Sequence, residues 1–223
     1  MVEKLIEKTA PAVQLAGAVA PTKGERTRAR LLDVAYDAIV HKGFAATSID
    51  ELVEAAGITK SGFFYHFKDK NDLARQLLER FLAEDSEILD RLEARARTLA
   101  DDPLQSFLIF LNLYAEMMDE MPELHPGCLV AMITYQEQLF DRVVREMNAE
   151  SVIAMRLRFA RWLEEIVDKH PPRAPIDINA MADNVTVIVE GAIILSKAMN
   201  DRGLMGRHTR LFRDHVKLVF GTA

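Results

Sequence analysis

Thr47–Lys70, TSIDELVEAAGITKSGFFYHFKDK, decides how the rest of the chain is read. Ser48 and Glu51 stand three apart, the spacing of a capping box, in which each side chain satisfies a free amide at a helix start. Ile49, Leu52, Val53 and Ala56 then recur at i, i+3, i+4 and i+7, one face of a short helix. Gly57 ends it, because a residue without Cβ accepts the left-handed backbone of a tight turn. Thr59 caps a second helix at once, with Phe63, Phe64 and Phe67 as its apolar side. Two short helices joined by a glycine turn make a helix-turn-helix, whose second helix lies in the major groove of DNA.

Charge supports this through its distribution rather than its total. The 223 residues carry 28 Lys and Arg against 34 Asp and Glu, a net of −6. Lys23 to Lys70 holds eight basic and seven acidic side chains, so the acidity lies elsewhere. Lys23, Arg26, Arg28 and Arg30 precede or open the first long helix, and Lys60, Lys68 and Lys70 flank the recognition helix. Asp33, Asp37, Asp50, Glu51 and Glu54 fall on other turns, where they can point away from phosphate. A cationic patch facing a polyanion binds through counterion release; the alternative is a solvated surface of mixed charge.

The run Gly43–Leu73, GFAATSIDELVEAAGITKSGFFYHFKDKNDL, resembles the DNA-binding domain of the tetracycline-repressor (TetR) family. The matching features are Gly-Phe after helix 1, the Thr-Ser cap, Ala-Gly-Ile-Thr-Lys at the turn, and Tyr-His-Phe followed by Lys-x-Lys. The resemblance implies an all-α homodimer, usually a repressor, that leaves a palindromic operator when a small-molecule inducer enters its C-terminal domain. With the charges, it implies a DNA-facing set of Arg26, Thr27 and Arg28, then Thr47 and Ser48. Lys60, Ser61, Gly62, Tyr65 and His66 complete it on the recognition helix, with Lys68 and Lys70 beyond. Phe64 departs from relatives that carry a phosphate-contacting Tyr, which shifts weight to Tyr65.

Outward from this stretch, the chain divides into an N-terminal extension (1–22), a DNA-binding domain (23–70) and a C-terminal ligand-binding and dimerisation domain (71–223). Ala12–Ala20 is mildly apolar and ends in Ala18-Val19-Ala20, as at a secretory cleavage site. Glu3 and Glu7 cancel Lys4 and Lys8, so the expectation is an extension, helical in part. The single Cys128 excludes an internal disulfide and fits a reducing, cytoplasmic compartment. Arg26–Lys42 reads as helix 1, with Leu31, Ala35, Ala38 and Ile39 inward. Asp69 caps a helix running to about Leu99, and Asp102-Pro103 opens one to about Met121 that is apolar nearly all round. Helices over Gly127–Gln138, Phe140–His170, Asp177–Asn200 and His208–Phe220 follow, with no strand alternation.

Gly127-Cys128-Leu129 resembles a Gly-Cys-Leu motif of one TetR branch, which also carries a pair like Glu190-Gly191. That branch often places Asn and Glu where this chain has Met132 and Gln136. Candidate ligand-binding residues are Phe110, Tyr114, Met117, Cys128 and Met132, then Tyr135, Gln136, Phe159, Trp162 and Glu190. Their mixture of apolar bodies and a few polar groups suits a small-molecule site, although each singly also suits an ordinary core. Glu190 sits inside the apolar run Val185–Leu195, where a lone carboxylate is costly unless paired or protonated. That run is too short and too interrupted for a membrane span. With the last helix it suits a two-fold interface through Ile188, Ala192, Leu195, Phe212, Val216 and Val219; the alternative is that these fill an intrachain core. No phosphate-binding glycine loop, Gly-x-Ser-x-Gly elbow or His-Glu-x-x-His zinc site occurs, so neither enzyme, metal nor cofactor is expected. The alternative is a DNA-binding regulator without a ligand, constitutive or controlled by a protein partner; an enzyme with an unfamiliar site is the third reading.

Overall fold

The structure, a computed structural model, describes Ala20 and residues 22–221. The expected extension, apart from Ala20 and Thr22, lies outside them. The described residues form nine α-helices and one 3-10 turn, with no strand.

Helix α1 spans Lys23–Lys42, starting three residues before the expected Arg26. The reason is a complete capping box: Thr22 Oγ1 accepts from the Glu25 amide at 3.2 Å, and Glu25 Oε2 accepts from the Thr22 amide at 2.7 Å. Helices α2 (Ile49–Ala56) and α3 (Lys60–His66) follow, joined through Gly57 at φ 64° and ψ 38°, the left-handed backbone the turn requires. Ser48 accepts from the Glu51 amide at 3.2 Å, but the Glu51 carboxylate is taken first by Lys42, leaving the Ser48 amide a minor partner. Thr59 Oγ1 accepts from the Gly62 amide at 3.2 Å, so α3 is capped as expected. Leu31, Leu32, Ala35, Ile39, Leu52, Phe63 and Phe67 close the three-helix core. Phe64 does not join it; its ring is half exposed because α3 has only two turns, and positions 63 and 67 already fill the inward side.

Asp69 caps α4 (Lys70–Leu99), and Asp102 with Pro103 opens α5 (Pro103–Asp119), both as their sequences dictate. Helix α5 is the centre of the body, packed against α4, α7 and the last helix. Helix α6 is only Leu129–Tyr135, with a 3-10 turn at Glu137–Leu139. It is shorter than Gly127–Gln138 because Gly127 takes φ 134°, which no α-helix contains, and Gln136 breaks the far end. Helix α7 (Arg142–Lys169) starts at the Asp141 cap, since Phe140 is diverted inward onto Phe44 with ring centroids 4.4 Å apart. Helix α8 spans Ile178–Met199 and α9 spans Leu204–Phe220, the latter starting four residues before the expected His208.

The core of the three-helix head does not stop at residue 70. Leu129, Ile133, Phe140 and Val144 belong to the same buried cluster, so α6 and the start of α7 are packed into the head. A second core gathers Leu104, Phe107, Phe110, Phe159, Trp162 and Leu163 with Phe212 and Val216.

Candidate DNA-reading head and ligand cavity

On the recognition helix α3, Tyr65 is 82% exposed, edge-on to His66 with ring centroids 4.9 Å apart. Lys60 is exposed and donates to both carboxylate oxygens of Asp50, at 2.9 and 3.2 Å. Asp50 therefore does not point away from the reading surface, as its turn suggested; α2 presents it to α3. Ser61 Oγ lies 2.9 Å from Thr59 Oγ1, and Gly62 serves the same cap through its amide. Lys68 and Ser48 are exposed beside this face.

Elsewhere the expected DNA-facing set changes. Thr47 is buried and its hydroxyl donates to Gly43 O at 3.0 Å, so it locks the turn after α1 rather than facing outward. Lys70 is half-buried, its ammonium on the Phe44 carbonyl and 4.1 Å from that ring's centroid. Burial, then the nearby Lys42, lowers its pKa. It is a strut between α4 and the head, not a free phosphate contact. Arg28 reaches Gln76 Oε1 at 2.9 Å and ties α1 to α4. The Thr27 hydroxyl donates back to Lys23 O at 2.9 Å, while Arg26 lies exposed on the first turns of α1.

In the body, α4, α5, α7, α8 and α9 enclose a cavity of about 140 Å³. Of the ten expected ligand residues, Phe110, Tyr114, Cys128, Phe159 and Glu190 line it. Met117, Met132, Tyr135, Gln136 and Trp162 do not. Met132 packs on the head core instead, because the short α6 turns that face to α1 and α4. Tyr135 is 77% exposed, and Gln136 lies against Gly43 with its Oε1 buried and unpartnered. Trp162 is fully buried in the second core, its indole N–H donating to Pro103 O at 3.2 Å under the Arg97 guanidinium.

The cavity wall includes polar groups the sequence reading missed: Asp85, His125, Ser151, Thr186 and Thr209. Burial raises Asp85 to about 6, against the opposing pull of Arg158. Burial raises Glu190 as well, opposed by a hydrogen bond from the Cys128 thiol. The thiol itself is pushed up to about 12 by burial and by Glu190, which makes it a poor nucleophile at neutral pH. His125 is held down to about 4 by burial and then Lys197, and its Nδ1 accepts from the Gly127 amide at 3.2 Å. It is a neutral imidazole with its proton on Nε2. Burial also raises the Tyr114 phenol. Among the described residues, no group of three His, Cys, Asp or Glu is placed to hold a metal ion.

The expected interface residues divide by side. Ala192, Phe212 and Val216 are buried inside the body, and Ile188 lines the cavity. Val219 packs against the second core, and only Leu195 is turned out. The apolar residues facing outward are one helical step away: Val187, Ile194 and Met199 on α8, Leu211 and Leu218 on α9.

A capped two-helix unit with an exposed aromatic and an exposed lysine on its second helix, carried on a larger helical body, is a helix-turn-helix DNA-binding protein. Residues 31–77 match the family described as bacterial regulatory proteins, tetR family. The HTH-type transcriptional regulator AcrR of Shigella flexneri is 39% identical over 57 residues, which span 26% of either chain. The probable acrEF/envCD operon repressor of Escherichia coli K12 is 24% identical over 188 residues, 82% of this chain and 81% of that one. The crystal structure of a TetR-family transcriptional regulator from Agrobacterium tumefaciens superposes with a TM-score of 0.73 at 19% identity, covering 86% of this chain and 98% of that one. The chain carries a tetR-family DNA-binding domain and is a DNA-binding transcriptional regulator.

Proposed function

We propose that the protein is a cytoplasmic homodimeric repressor, released from a palindromic operator when a small molecule occupies the cavity, and not an enzyme. The observation that carries this is the position of α6. Cys128 and Val130, at its start, line the cavity, while Leu129 and Ile133 are buried in the core of the reading head. A ligand that shifts this seven-residue helix therefore shifts the packing under α1 and α4. A second path runs through Phe81, which lines the cavity and stacks on Tyr36 of α1 with centroids 6.1 Å apart. Modest coupling suffices, since about 1.4 kcal/mol changes DNA affinity tenfold. A packed interior would have favoured a regulator without a ligand; a cavity with polar groups in its wall favours the induced one.

We read the outward apolar residues of α8 and α9 as the face of a two-fold dimer. Nothing lies within 4 Å of where a Cβ on Gly191 would stand, so a partner helix can approach closely there. Among the described residues, α8 is the one helix that by length and composition could cross a membrane, although its Asp183 and Lys197 are held by Arg156 at 2.7 Å and Pro126 O at 2.6 Å. Burying its apolar face against a second copy accounts for it without a bilayer. Two recognition helices must then stand about 34 Å apart to enter successive major grooves. The residues of the Gly-Cys-Leu branch meet at the cavity, where the Cys128 thiol bonds to Glu190, so we place the chain in that branch.

The test is selection of duplexes from a random pool, followed by fluorescence anisotropy on the winner and a scrambled duplex. Specific binding by a dimer, lost in Tyr65→Ala at unchanged helicity, is expected. Equal affinity for both duplexes overturns the proposal.

A further inference from the structure

The cavity pairs a mostly apolar wall with two carboxyls and no cation to match them. Phe81, Leu89, Phe110, Phe159 and Val185 give it its apolar body. Asp85 enters from α4 and Glu190 from α8, so the acids come from different helices. No Lys or Arg lines the space. The cation acting on Asp85 is Arg158, whose Nη2 is shared between Asp90 at 2.6 Å and Glu93 at 2.9 Å while its Nε is buried without a partner. Glu190 has the Cys128 thiol, a weak donor. The other titratable groups facing the space are His125, which is neutral, and Tyr114.

Tyr114 is the independent sign of a ligand. Its ring stacks on Phe110 with centroids 6.3 Å apart, and its hydroxyl, on a side chain that lines the cavity, forms no hydrogen bond with any described residue. Asp85, Cys128 and Glu190 line the same cavity as that ring. A buried phenol normally finds a partner. Here a molecule filling the cavity can supply it.

We propose that the ligand is a protonated amine on a compact aromatic or branched apolar body, its nitrogen held between Asp85, Glu190 and the Tyr114 hydroxyl. An ammonium supplies the counter-charge and the donors that these acceptors lack, and the Phe110 and Phe159 faces favour a cation electrostatically. An anionic ligand would meet two carboxyls and no cation. A neutral one would leave the carboxyls unmatched. Size sets the body: a cavity near 150 Å³ takes a benzene-sized molecule, so the apolar body is about one phenyl ring.

This inference rests on the cavity being the ligand site, and the experiment separates the two. Calorimetric titration of the full-length dimer at pH 7.5 uses phenylalkyl amines with one to four methylenes, and the alcohols and carboxylates of the same lengths. At least one amine is expected to bind at least tenfold tighter than its alcohol, with the carboxylates weakest. Asp85→Asn and Glu190→Gln should each reduce that ratio severalfold while leaving the alcohol's affinity in place, a pattern that misfolding does not produce. Alcohols or carboxylates binding as tightly as the amines overturn the amine class but keep the ligand site. No binding by any of the three series overturns both. Amine binding that leaves operator affinity unchanged keeps the site and overturns the release mechanism.

Discussion

Around the recognition helix, Lys42 holds Glu51, Lys60 holds Asp50 at 2.9 Å and Arg28 holds Gln76, all at the edge of bulk water. Around the cavity, Asp85 and Glu190 face apolar rings, and no Lys or Arg lines the space with them. Exposed pairs are weak, typically under about 1 kcal/mol, so the head can exchange its carboxylates for phosphates at little cost. The buried acids have no such ready exchange, and a bound counter-charge would relieve them. One region is poised to trade partners, and the other to acquire one. A shared core joins them through α6, so occupancy in the second can be felt in the first.

The harshest way to break this comparison is Phe63→Ala. Phe63 is wholly buried in the head, and such truncations cost about 3–5 kcal/mol. Trp162 sits in the other core and is the single tryptophan of the chain, so its fluorescence reports the body alone. Because α6 and the start of α7 are common to both units, the Trp162 unfolding midpoint is expected to fall with that of total helicity. If the Trp162 transition stays put while part of the helical signal melts earlier, the head is independent and the shared core transmits nothing.

Asp85→Asn probes the other side and has the opposite sign. In the unfolded chain this carboxyl ionises near pH 4; in the fold it keeps its proton until about 6. Above pH 6, folding must therefore bury a charge, and the cost is fully present; below pH 4 both states are protonated and it is absent. The substitution should stabilise the ligand-free protein by about 3 kcal/mol at pH 8, with the gain shrinking as pH falls through 6 toward 4. Thermal melts at three pH values check it. Destabilisation at pH 8 would mean that Asp85 is already paired.

The reading helices were legible because caps and turns are local: Ser48, Gly57, Thr59, Asp69 and Asp102 each announce themselves within four residues. The aromatic floor of the cavity, Phe110, Tyr114 and Phe159, was legible as a composition. Its acids were not equally so. Glu190 stood out inside an apolar run, whereas Asp85 lies in the acidic stretch Glu84-Asp85-Ser86-Glu87 and looked like solvent-facing charge. The missed signal was its register with Phe81 and Leu89, four residues away on either side, which puts it on the inward stripe of α4. Lys70 misled for the converse reason: a lysine after a recognition helix suggests phosphate, and only tertiary folding brings the Phe44 carbonyl beneath it. Phe212 and Val216 show the same limit, since periodicity finds an apolar face without saying whether this chain or a second copy covers it.

The mildest perturbation separates the two uses of charge most cleanly. Asp50→Ala removes the carboxylate that occupies Lys60, leaving the Ser48 cap and the buried face of α2 untouched. Both partners are exposed, at 57% and 75% of the side chain, so the melting midpoint should stay within error of the parent. Duplex affinity should rise a few-fold at low salt, for two reasons. A negative charge leaves the face turned to the polyanion, and Lys60 no longer gives up a partner to reach phosphate. The slope of log affinity against log salt should steepen by no more than about one counterion per recognition helix, and the gain should fade near physiological ionic strength, where surface charges are screened. Unchanged affinity at low salt would place Lys60 off the duplex. The reading surface would then be Tyr65, His66 and Lys68, carried by the end of α3 rather than by its start.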